Sequence, residues 1–140
     1  MKVVTGLIAL VLICVAAPCW AQPSVGIFTT IPFEFAVNDR TLPAGEYATR
    51  EIVAGVYEMV NTNGDLRAFS FVDPVDVNQA QQAKLVFRKY GDKYFLAEVW
   101  NPLRMAVLAF PKCRKERELV TSRLVSAIRV DRVVILAQVR

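Results

Sequence analysis

The chain has 140 residues, 54% of them hydrophobic, a formal net charge of +4 and no histidine at all. Without imidazole it lacks the usual general base, the commonest metal ligand and the natural pH switch. Ser–His and Cys–His catalysis are excluded, and the length accommodates one domain rather than two.

The first segment reads as an address. Met1 and Lys2 supply a positive end, Leu7 to Ala17 is an unbroken apolar run, and "APCWA" ends in a small residue. That layout predicts a secretory signal peptide over residues 1–21, cleaved after Ala21, and hence a secreted or periplasmic protein. The apolar run is too short to serve as a permanent membrane span. Cys14 and Cys19 leave with this segment, so Cys113 stands alone and no intramolecular disulfide forms. Within "PKCRKERE" the neighbouring cations would lower its thiol pKa if it were exposed; the alternative is an idle structural cysteine. With one cysteine and no imidazole left, a zinc site lacks ligands, and no metal or other cofactor is expected.

After "QPSVG" the pattern turns to period two. In "IPFEFAV", Ile31, Phe33, Phe35 and Val37 share one face, which predicts a half-buried strand, with Pro32 suited to its start or to an edge. "NDR" is a turn. Glu46 to Val53 and "VYEMVN" are the next strands, and Asn63-Gly64 is the strongest short hairpin signal in the chain. "LRAFSFV" follows, with Leu66, Ala68, Ser70 and Val72 opposite Phe69 and Phe71. "DPVDVNQAQQA" reads as a polar loop. Lys84 to Tyr90 and Lys93 to Trp100 make a second hairpin around Gly91-Asp92, and "RMAVLAF" is a strand stopped by Pro111. Beyond it, alternating charge and good helix formers predict a helix from about Arg114 to Ala127. "VDRVVILAQV" fits helix or strand equally.

Short strands at regular spacing predict an all-β fold: an antiparallel β-sandwich or small barrel, Greek-key-like, with a C-terminal helical segment. The expected layout is a signal peptide at 1–21, a β-sandwich domain at 22–120 and an amphipathic C-terminal extension at 121–140.

Three stretches, "IPFEFAVNDRTLPAGEY", "LVFRKYGDKYFLAEVW" and "KERELV", together resemble a group of small exported bacterial proteins. Members open their mature domain with an I-P-F-x-F-x-V…L-P-A-G-x-Y pattern. The group is of unassigned function, so the resemblance implies export and a small β domain but no activity. The stretch after Trp100 lacks the glycines expected of the group.

"LPAGEY" is also similar to a tyrosine corner, in which a tyrosine hydroxyl reaches back to the main chain upstream and pins a connection between sheets. Leu42 would plug the core, Pro43 and Gly45 would set the turn, and Tyr47 would donate the bond. Glu34, Glu58 and Glu98 lie within otherwise apolar strands. They are the raw material for a paired-carboxylate hydrolase if buried, and ordinary outward-facing residues if alternation holds. Asp73, Asp76 and Asn78 supply oxygens without the spacing of a known calcium loop. Tyr57, Tyr94 and Trp100, with Tyr90, are candidates for an aromatic ligand-binding platform, since Tyr94 and Trp100 share parity on one strand.

Residues 112–140 hold eight Lys or Arg against three acids, whereas residues 22–111 hold eight against ten. A basic tail on a near-neutral domain suits a polyanionic surface or a solvated helix face. The expected role is a non-catalytic envelope binding or interaction module, with a small glycan hydrolase or an assembly subunit as alternatives. The partners in view are envelope polymer, an anionic lipid surface or another envelope protein, and not nucleic acid.

Overall fold

The computed structural model describes residues 26–76, 81–122, 127 and 129–140. The predicted signal peptide and its cleavage point lie outside the described residues. In chain order the strands are β1 (Ile27–Ile31), β2 (Phe35–Val37), β3 (Arg40–Leu42), β4 (Gly45–Val53), β5 (Val56–Asn61), β6 (Arg67–Phe71) and β7 (Asp73–Asp76). Then come β8 (Lys84–Tyr90), β9 (Lys93–Asn101), β10 (Ala106–Ala109), the helix α1 (Arg114–Thr121), β11 (Val130–Leu136) and β12 (Gln138–Val139).

Among the described residues the strands form two sheets and no closed barrel: β12-β1-β4-β5-β6 on one side and β11-β8-β9-β10-β7 on the other. This is an all-β sandwich with one helix near the C-terminus. The β2–β3 hairpin joins the second sheet through a parallel bridge, Ala36 to Phe95, on the edge of β9 whose C-terminal half pairs with β10. Two strands bend from one sheet into the other, β6 into β7 at Val72 and β11 into β12 at Ala137.

Period-two alternation explains which faces meet. Ile31, Phe35, Val37, Leu42, Tyr47, Tyr57, Met59, Leu85, Phe87, Leu96 and Val99 point inward and form one core. Along β6, Ala68 and Ser70 are buried while Phe69 and Phe71 face solvent, as the pattern of "LRAFSFV" predicts. "IPFEFAV" behaves differently from a single strand. It breaks at Pro32–Glu34, where the proline cannot donate to a ladder, and its two halves enter different sheets. Gly64 and Gly91 close the two predicted hairpins with φ of +79° and +63°, a region that costs any Cβ-bearing residue.

The corner forms as its residues predict. The Tyr47 hydroxyl donates to the Pro43 carbonyl at 2.7 Å, and Leu42 is fully buried. Phe35 meets the Tyr47 ring edge-on at 5.2 Å, so the ring is both anchor and core. Burial pushes the Tyr47 phenol pKa up from its ordinary value. Tyr47→Phe is expected to cost about 1 kcal/mol, the worth of one hydrogen bond. A denaturant midpoint equal to the wild type's would show that the bond contributes nothing.

Two expectations are corrected. "DPVD" is not loop but β7, paired with β10 at Asp73–Ala109 and Asp76–Val107. Nor is 121–140 an extension outside the domain. Helix α1 ends at Thr121, and β11 then runs along the whole of β8 from Val130–Tyr90 to Leu136–Lys84. Val133, Ile135, Ala137 and Val139 pack against the core. The choice between helix and strand for "VDRVVILAQV" falls to strand because β8 offers an unpaired ladder, a non-local fact that periodicity does not carry.

Candidate functional site

The sheet containing β8 and β9 has a second packed face. Residues alternating with its core set, among them Arg88, Tyr90 and Phe95, point outward and meet α1. Ala36, Tyr90, Phe95 and Cys113 form a small buried cluster there, with Leu119 of the helix against it. Glu116, fully buried, fixes the helix. Its carboxylate accepts from Arg88 Nε at 2.5 Å and Nη2 at 2.9 Å, and from the Tyr90 hydroxyl at 2.9 Å. Arg88 Nη2 also donates to the Phe110 carbonyl at 3.3 Å. Burial, and then the bond to Glu116, push the Tyr90 phenol up to about 12. In sequence Glu116 is one charge among many in "KCRKERE"; its partner lies 28 residues earlier, so nothing local marks it.

Between α1, β2 and the start of β9 lies a groove of about 450 Å³, within the size range of ligand clefts. Ala36, Phe95 and Leu119 line its apolar part. Lys93 and Lys115 line it from β9 and from the helix. Glu34, Asp92 and Glu118 also line it, all exposed, and Glu118 is engaged by Arg114 at 2.8 Å.

The aromatic candidates are not brought together. Tyr57 is buried in the core from β5, in the other sheet. Its phenol pKa is raised by burial and then by Glu51, against Arg104 and a hydrogen bond to Asn101. Tyr94 and Trp100 do not share a side. The register between β8 and β9 shifts after Val86–Glu98, where Phe87 pairs with Leu96 and Ala97 is the extra residue. A bulge of this kind inverts the alternation. Tyr94 therefore faces inward, stacked on Phe33 at 3.8 Å. Trp100 faces outward, with Lys84 Nζ 3.6 Å from its ring and its indole N–H donated to Glu98 at 2.9 Å.

The carboxylate candidates are separate too. Glu58 is buried yet held between Arg50 at 2.7 Å and Arg67 at 3.0 Å. Glu98 accepts from Arg132 at 2.6 Å. Glu34 stands in solvent on the groove. Among the described residues no group of three or more Cys, Asp or Glu is placed to hold a metal ion. Asp73 and Asp76 lie on β7, and Asn78 is outside the described residues. Cys113 is buried beneath the start of α1. Burial raises its thiol pKa despite backbone N–H groups of Glu116 and Lys115, so the surrounding cations do not make it a nucleophile.

Comparison of the chain with protein-family models, with curated proteins and with solved structures gives no match in any of the three.

Proposed function

We propose that this protein is a non-catalytic, exported binding module that holds a segment of envelope polymer in the groove between α1 and β9. The observation that carries it is the make-up of that groove: an apolar part flanked by charges of both signs, Lys93 and Lys115 with Glu34, Asp92 and Glu118. Such a setting suits a chain with apolar groups and charges of both signs, as the peptide stems of an envelope glycan present. The two buried carboxylates, Glu58 of β5 and Glu116 of α1, are each paired with arginine and offer no free group for acid–base work. The alternative of a glycan hydrolase has one observation in its favour, Glu34 and Asp92 on the same groove. Both stand in water rather than in the water-excluding setting that tunes a catalytic acid.

Titration with soluble peptidoglycan fragments, followed by amide NMR, tests the proposal. Shifts are expected at Phe95, Leu119 and Ser122 without product formation. Lys93→Glu with Lys115→Glu is expected to weaken binding about tenfold or more, the scale of a lost charge-assisted contact. Absence of saturable shifts in the groove would refute the site, and cleaved fragments would establish the hydrolase.

A further inference from the structure

One end of the sandwich carries its large apolar residues on turns rather than inside. Ile52 and Val53 end β4 at the edge of the β4–β5 turn, and the β9–β10 turn presents Leu103 and Met105. These four are 49–62% exposed, and Phe71 at the end of β6 is 76% exposed. The two turns are neighbours, because Glu51 of one forms an ion pair with Arg104 of the other. Val56 links Val53 to Phe71 by direct cross-strand pairing. Turns are ordinarily polar, and contiguous exposed apolar surface marks a contact site.

Four backbone N–H donors of these turns are satisfied from within. The Asn101 side-chain oxygen accepts from the Leu103 N–H at 3.1 Å and the Arg104 N–H at 3.4 Å. The Met105 N–H donates to the Pro102 carbonyl at 3.3 Å, and the Gly55 N–H to the Glu51 carboxylate at 3.0 Å. Internal pairing of backbone donors and of charge is what entry into a medium without water demands. Immediately behind the two turns stands Trp100 with the Lys84 ammonium over its ring, the aromatic and cationic pair that favours the headgroup level of a bilayer.

We infer that these two turns form a lipid-docking tip, on which the protein sits by inserting Ile52, Val53, Leu103 and Met105 into the outer part of a bilayer. The contact is a shallow, non-spanning one, driven by apolar burial rather than by charge. Met105 adds a backbone argument. It adopts φ +48°, a conformation uncommon for such a residue, and its side chain is exposed.

Flotation of the purified protein with vesicles tests this. One set is phosphatidylcholine alone, the other phosphatidylcholine mixed with phosphatidylglycerol. Comparable binding to both is expected, persisting at high salt. Leu103→Asp is expected to lower partitioning about tenfold or more, from the apolar area lost. Met105→Asn is expected to weaken binding while leaving the melting temperature unchanged or higher, since asparagine accepts positive φ. Val130→Asp, at the far end of β11, is expected to bind like the wild type. Failure of the wild type to float with either vesicle overturns the inference, as do tip variants that float unchanged. Binding that needs phosphatidylglycerol and vanishes in salt assigns the contact to basic residues instead. A wild-type dimer that Leu103→Asp dissociates, with no flotation, makes the tip a contact between two copies. The groove titration is independent, so either result stands without the other.

Discussion

Truncation after Arg129, which removes β11 and β12, is expected to abolish cooperative unfolding. β11 satisfies the outer ladder of β8 at seven paired positions, and β12 pairs with β1 at Ile27 and Phe28. The loss also strips Val133, Ile135 and Val139 from the core. Each such side chain contributes about 1.5–3 kcal/mol when fully buried. Domains of this size have only about 5–15 kcal/mol in hand. Smaller contacts go with them: the Thr29 hydroxyl donates to the Leu136 carbonyl at 3.1 Å, and Gly26 and Arg140 exchange backbone bonds at 3.2 Å. Circular dichroism of the truncated chain is expected to show no sigmoidal melt. A sigmoidal transition with wild-type β signal would mean that the remaining strands suffice.

Glu116→Ala is the point substitution with the largest expected effect, about 3–5 kcal/mol. It leaves the Arg88 guanidinium, only 19% exposed, without its counter-charge, and leaves the Tyr90 hydroxyl without its acceptor. The damage is expected at α1, so amide exchange over Arg114–Thr121 should rise most. Replacing both ends of the pair by apolar residues of similar size is expected to recover much of the loss, because the desolvation cost disappears with the charges. Equal destabilisation by the single and double changes would show that the pair is not what holds the helix.

The alkaline limit gives a second reading of the same site. Tyr90 ionises at an ordinary 10.0 when unfolded and at about 12 in the fold. Its contribution is complete below pH 10 and is lost as the pH climbs through the folded value. Removing Glu116 withdraws part of the cause, so the stability lost between pH 10 and about 12 should be smaller in Glu116→Ala than in the wild type.

What could be read from sequence was whatever depends on neighbours in the chain. Gly64 and Gly91 close hairpins because of their own backbone freedom, and Tyr47 bonds Pro43 four residues away. The faces of β6 follow from alternation alone. What escaped depends on distant partners or on a shift of count. A single extra residue at Ala97 turned Trp100 away from Tyr94, and alternation contains no warning of it. The Arg88–Glu116 pair and the groove beside it exist only because α1 folds back over β8 and β9. β11 was ambiguous for the same reason, since its strand character comes from the vacant side of β8.

The pairing of β1 with β12 also bears on how the chain comes to be folded. The first described strand finds one neighbour in β4 nearby and the other at Gln138 and Val139, more than a hundred residues later in sequence. Such a contact closes a very long loop and is reached late and slowly. A chain emerging from the ribosome therefore cannot complete either sheet until β11 and β12 have been made.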